Sequence, residues 1–359
     1  MKTADLRRLA ILLTAAAVAV VAAAVAMAGV SIPQATPMPD LSTFFKNTVG
    51  LTASQISSIQ AGKPVAIALN TPTPEEIYLF GAVYINATPE SYLAFSRDLN
   101  QLRKSPNYLA IVEFSNPPQL SDLNNFGFSD EEIQDLKKCK AKNCAIQIPA
   151  ESLTALQQSV NWSAPNLADQ VNQLVRAAVL KDLLAYQSGG NPFLLIYNDK
   201  PTPTDVSADF QYVLNFSKAL PQYLPNFYQY LLDYPKAKPA NVDNWFYWSN
   251  VKFGLKPTLR VVQVVTSTGT ASDKIAYAIA EKQLYASHYF ETALDMTFCV
   301  RVDSPSQPGF YLLMAEGSEQ AGLTGLVGDI RRKVAVGDSV TALQQALTAI
   351  KQTLEKNQK

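Results

Sequence analysis

The sequence predicts an α+β fold: an antiparallel sheet gripping a long C-terminal helix, with a helical insertion in the middle. Three observations carry this expectation. Strand-like runs follow one another from Trp245 to Glu316 through connections too short for parallel crossovers. The last segment, Ser339 to Lys356, puts Val340, Leu343, Ala346, Leu347, Ile350 and Leu354 on one stripe with Gln, Thr and Lys opposite. Such a helix must lie across the sheet to bury that stripe. Far upstream, Ile77 to Ile85 is apolar at both parities, so that strand needs cover on both faces.

The chain begins with Lys2, Arg7 and Arg8 ahead of an uncharged run from Leu9 to Val25, and Ala26-Met27-Ala28 then fits a small-x-small cleavage pattern. Residues 1–28 therefore read as a signal peptide or membrane anchor, with Gly29 the start of the mature chain if cleaved and residues 29–39 a polar, Pro-containing tether. If uncleaved, Leu9 to Val30 reaches the roughly 20 residues that span a bilayer and ties the protein to the membrane. Either way the expected location is outside the cytoplasm, periplasmic or extracellular.

Residues 40–359 read as a single α+β domain. Short helices fill Asp40 to Gly62, and Pro64 to Leu69 and Glu76 to Asn86 are strands. Thr88-Pro89-Glu90 opens a helix running to about Arg103, with Thr at the cap and Pro at the first helical position. Tyr108 to Ser115 is a strand. The insertion occupies about residues 116–233. It holds a capping-box helix from Ser129, a short strand from Cys144 to Pro149, and helices over Ala150 to Ser159 and Asn166 to Tyr186. A strand from Phe193 to Tyr197 and a Tyr- and Phe-rich helical stretch cut by Pro221 and Pro225 complete it. The later strands are Trp245 to Phe253, Leu259 to Thr266, Lys274 to Glu291, Leu294 to Val302 and Phe310 to Glu316.

Composition narrows the function classes. Lys+Arg 30 equals Asp+Glu 30, so no charge excess draws the chain to nucleic acid. Hydrophobic residues at 48% imply a real core. Cys139 and Cys144 are close enough to close a small disulfide loop in an oxidising compartment, and Cys299 lies in an apolar run as a buried thiol. One histidine and no second cysteine pair leave no metal-ligand pattern, and no cofactor motif occurs: Gly322 to Gly328 lacks the Lys and spacing of a phosphate-binding loop. Arg331-Arg332-Lys333 reads as a solvated basic turn.

A strand leading through an Ala-Thr-Pro-Glu cap into a helix, later antiparallel strands and a final amphipathic helix resemble the helix-grip fold of the START-like superfamily. The matching pieces are Ile77 to Leu102, Trp245 to Glu316 and Ser339 to Lys356. The resemblance implies an elongated apolar cavity between sheet and last helix, used by many members for lipids, sterols or polyketides. It carries no residue across position by position.

Aromatic residues are dense, with Tyr 16 and Phe 16, and they concentrate in Trp245 to Trp248, Phe210 to Tyr234 and Tyr285 to Phe290. The expectation is an exported, non-enzymatic protein holding a hydrophobic small molecule (a lipid, sterol-like or terpenoid compound) in an aromatic-lined cavity. Its candidate ligand-binding residues are Tyr285, His288, Tyr289, Trp245, Trp248 and Leu347. A strand conformation would put His288 on one face with Leu284, Ala286 and Phe290, placed to bond a polar head. The alternative is an envelope protein, structural or partner-binding, whose rings are core; a third is an enzyme acting through His288, although no Gly-x-Ser-x-Gly elbow presents a nucleophile.

Overall fold

A computed structural model describes residues 35–253, 256–302 and 308–356. The segment assigned as signal or anchor, residues 1–28, lies outside the described residues, as does most of the tether. In chain order the elements are α1 (Leu41–Phe44), α2 (Ala53–Gln60), β1 (Val65–Ala68), β2 (Glu76–Ile85), α3 (Pro89–Arg97), α4 (Leu99–Arg103) and β3 (Tyr108–Glu113). The insertion contributes α5 (Asp130–Lys138), α6 (Ala150–Ser159), α7 (Leu167–Gly189), β4 (Ile196–Tyr197), β5 (Thr204–Asp205), α8 (Val206–Phe216), α9 (Ala219–Tyr223) and α10 (Pro225–Asp233). The rest is β6 (Val242–Lys252), β7 (Pro257–Thr268), β8 (Ile275–Ala286), β9 (Phe290–Arg301), β10 (Phe310–Gln320) and α11 (Gly325–Lys356).

Eight strands form one sheet in the order β1-β2-β10-β9-β8-β7-β6-β3, every pair antiparallel, and the fold is α+β. Strand β2 shows why both its parities are apolar. Ile77, Leu79, Val83 and Ile85 pack with Leu343, Leu347, Ile350 and Leu354 of α11, while Tyr78, Phe80 and Ala82 face the opposite side. One face of the sheet therefore lies under α3, α4 and α11, which we call the grip face. The other lies under the insertion helices and the N-terminal helices, which we call the helical face. Trp248, Phe246, Val261 and Leu294 share one cluster there with residues of α5 to α10.

Gly81 lets α11 settle on the sheet. A Cβ there would stand 2.8 Å from Leu347 and 3.0 Å from Leu343, a space only glycine leaves open.

Several local expectations are corrected. Helix α11 starts at Gly325, well before Ser339, and its early turns leave Val327, Ile330 and Val334 exposed. Residues 274–291 form no single strand: β8 ends at Ala286, and Ser287, His288 and Tyr289 make a turn with Tyr289 at φ +66°. The strand expected over Cys144 to Pro149 reduces to one bridge between Pro149 and Tyr197, because its partner β4 is two residues long.

Candidate functional site

A cleft of about 460 Å³ opens on the helical face between α6, α7 and strands β7 and β8. Leu156 and Ala155 of α6 form one wall, Leu174, Ala178, Asp182 and Tyr186 of α7 another, and Val261, Leu284 and Tyr285 the floor. A β-bulge shapes that floor. Val261 pairs with Tyr285 and Val262 with Gln283, which leaves Leu284 unpaired. The extra residue breaks the alternation of a strand, so Leu284 and Tyr285, though neighbours in sequence, both line the cleft. On α7, Leu174, Ala178 and Asp182 follow at i, i+4 and i+8 along one helix face.

Asp182 is the unusual group in this lining. Its side chain is partly buried, and among the described residues no hydrogen bond to its carboxyl is found. Desolvation pushes its pKa up to about 6, with Glu151 adding to the rise and Lys181 opposing it. Lys181 and Glu151 stand at the rim, each 74% exposed and 3.9 Å from one another. Tyr285 is 8% exposed, and its hydroxyl bonds no described residue.

Of the residues singled out from the sequence, Tyr285 alone lines this cleft; the structure does not bring the six together. Trp245 and Trp248, three positions apart on β6, point to opposite faces. The Arg97 guanidinium stacks 4.0 Å over the Trp245 ring on the grip face. Trp248 is fully buried on the helical face, edge-on to Phe126, and its indole N–H donates to Asp122 O at 2.8 Å. Leu347 is fully buried against β2. Tyr289 accepts the Lys256 N–H at its hydroxyl, 2.7 Å away.

His288 sits in the turn after β8 with both ring nitrogens engaged, Nδ1 3.1 Å from Ala145 O and Nε2 2.9 Å from Glu132 Oε1. Glu132 is the third residue of the α5 capping box, and its other oxygen accepts the backbone N–H and hydroxyl of Ser129. Burial alone would raise the Glu132 carboxyl; the hydrogen bonds from His288 and Ser129 outweigh it and hold it below the usual carboxylate range. Helix α5 ends at Cys139, which is joined to Cys144 in a disulfide. His288 thus clamps this capped, cross-linked helix to the sheet. The disulfide fits an oxidising compartment.

Two polar clusters went unnoticed in the sequence. Lys282, 1% exposed on the helical face of β8, has its amine 3.1 Å from Tyr186 Oη, in a hydrogen bond to Asn191 Oδ1, and 3.6 Å from the centre of the Phe210 ring. Burial holds it well below the usual lysine range. On the grip face, Glu281, Asp295 and Glu316 stand directly opposite one another on β8, β9 and β10, beside Arg260. Cross-strand register assembles the acidic cluster, and packing of α7 and α8 on β8 assembles the one around Lys282. Asp182 did leave a signal, a carboxylate one turn beyond Leu174 and Ala178 on their stripe.

A second apolar cleft of about 440 Å³ lies on the helical face among Phe44, Tyr78, Val213, Tyr223, Met296 and Leu313. Among the described residues no group of His, Cys, Asp and Glu is arranged to hold a metal ion, and no helix is long and apolar enough to cross a membrane. No protein-family model matches the chain, and no curated protein matches it.

Proposed function

We propose that this is an exported, non-enzymatic protein of the helix-grip, START-like kind that holds a hydrophobic small molecule in the cleft between α6, α7 and the sheet. The observation that carries the reading is the cleft itself: about 460 Å³, within the size of small-molecule sites, apolar in most of its lining, with two polar tips at Asp182 and Tyr285. Strand order and the seating of α11 across β2 support the helix-grip assignment. The seat of the ligand is the helical face, because on the grip face α11 is locked against Gly81. Burial of apolar ligand surface contributes roughly 25 cal/mol per Å², so a few hundred Å² suffices for micromolar affinity after association costs.

Mass spectrometry of organic extracts from protein purified out of its native host should find an apolar compound, and adding it back should raise the melting temperature. Ala178→Phe, which places a ring in the cleft, should abolish that rise while leaving the circular dichroism spectrum intact. Empty extracts, together with a broad lipid panel that leaves the melting temperature unchanged, would refute the reading.

A further inference from the structure

The chemistry of the cleft names the polar end of its ligand, an inference that rests on the reading above. We propose that the cleft selects amphiphiles with a cationic amine head, whose ammonium pairs with Asp182 while the tail lies over Val261, Leu284 and Leu156.

An ionised carboxylate in apolar surroundings without hydrogen bonds is costly, and a chain keeps one where something compensates it. The neighbours of Asp182 do so only in part. Lys181, next to it on α7, favours the ionised form but makes no hydrogen bond to it and extends to the rim beside Glu151. Glu151, from α6, is itself an acid and adds repulsion. Tyr285, from β8, offers a neutral hydroxyl, and the Tyr186 hydroxyl on α7 is already engaged with Gln263 and Lys282. With a pKa of about 6, Asp182 is mostly ionised at neutral pH, so it places a negative charge against the apolar lining of the cleft. A ligand ammonium removes that charge and supplies the donors the carboxylate lacks. A ligand carboxylate meets repulsion instead, so fatty acids are the disfavoured amphiphiles. Tyr285, facing the same space, is left to accept a second hydrogen bond from the head.

The linkage to pH has a definite sign. A bound cation favours ionised Asp182, so binding strengthens as pH rises through about 6 and weakens below it. An alkylamine stays protonated across this range, since its pKa is close to that of lysine, about 10.

The test compares decylamine, decanol and decanoate, which share one tail and differ in the head, by titration calorimetry on the full mature protein. Near pH 8, decylamine should bind about tenfold or more tightly than decanol, the usual worth of a charged hydrogen bond, and decanoate more weakly than both. Near pH 5 the lead of the amine over the alcohol should shrink. Asp182→Asn should erase that lead while keeping decanol affinity, and a melting temperature no lower than the native protein's would show the fold intact. Equal affinity for amine and alcohol, or tighter binding of decanoate, overturns the cationic selectivity and leaves the apolar-ligand reading standing. If none of the three binds, the cationic selectivity falls, and the extracts and lipid panel decide the apolar-ligand reading.

Discussion

Buried Lys282 and the partly buried pair Asp295 and Glu316 are ionisable residues that pull stability in opposite directions with pH. Burial pushes Asp295 up to about 7, although Arg260 opposes the rise, and burial with repulsion from Asp295 and Glu281 pushes Glu316 up to about 8. Folding thus favours their protonated forms. Their contribution is full below the ordinary carboxylate range, about 4, and is lost as pH climbs through 7 and 8. For Lys282 folding favours the neutral amine, so its contribution is present at high pH and lost as pH falls through its lowered value. The double variant Asp295→Asn, Glu316→Gln should therefore gain melting temperature relative to the native protein as pH is raised from 5 to 8. Lys282→Met should gain as pH is lowered. Calorimetric melting profiles that run parallel for native and variant proteins would show that these groups do not titrate on unfolding. Such groups were illegible in the sequence, where an acid or lysine every few residues of a strand reads as a solvated face.

Helix α11 seats closely on strand β2 at Gly81. Burial of each leucine on the stripe contributes roughly 2 kcal/mol, and Leu343 and Leu347 approach the backbone only because Gly81 has no side chain. Gly81→Val should lower stability by about 1–3 kcal/mol through overpacking, and Leu347→Ala by about 2–5 kcal/mol through the cavity it leaves. Urea denaturation measures both. A Gly81→Val protein as stable as the native one would mean that the helix shifts away at no cost. The stripe of α11 was legible from its 3.6-residue period, and so was the α5 capping box. The bulge at Leu284 was not, since nothing in Gln283-Leu-Tyr285 distinguishes it from regular strand, and it is the bulge that places Tyr285 in the cleft.

Across the whole molecule, the insertion helices own no separate core. The buried residues of α5 to α10 belong to one cluster with Tyr78, Phe246, Trp248, Val261 and Leu294 of the sheet. The helical layer should therefore unfold with the sheet, and denaturation followed by tryptophan fluorescence and by far-ultraviolet circular dichroism should give a single coincident transition. Two separated transitions would mean that the layer is an independent unit.

The sequence by itself determined the α+β class, the antiparallel run of late strands, the C-terminal grip and the Cys139–Cys144 link. Each of these depends on a local period or a short spacing, and such signals survive in one dimension. Tertiary structure alone decided that α11 packs flush on β2, that the cleft opens on the helical face, and that Asp182 looks into it. Those outcomes depend on which surfaces of distant segments meet and how closely. A space between α7 and β8 is a property of both, and neither segment records it.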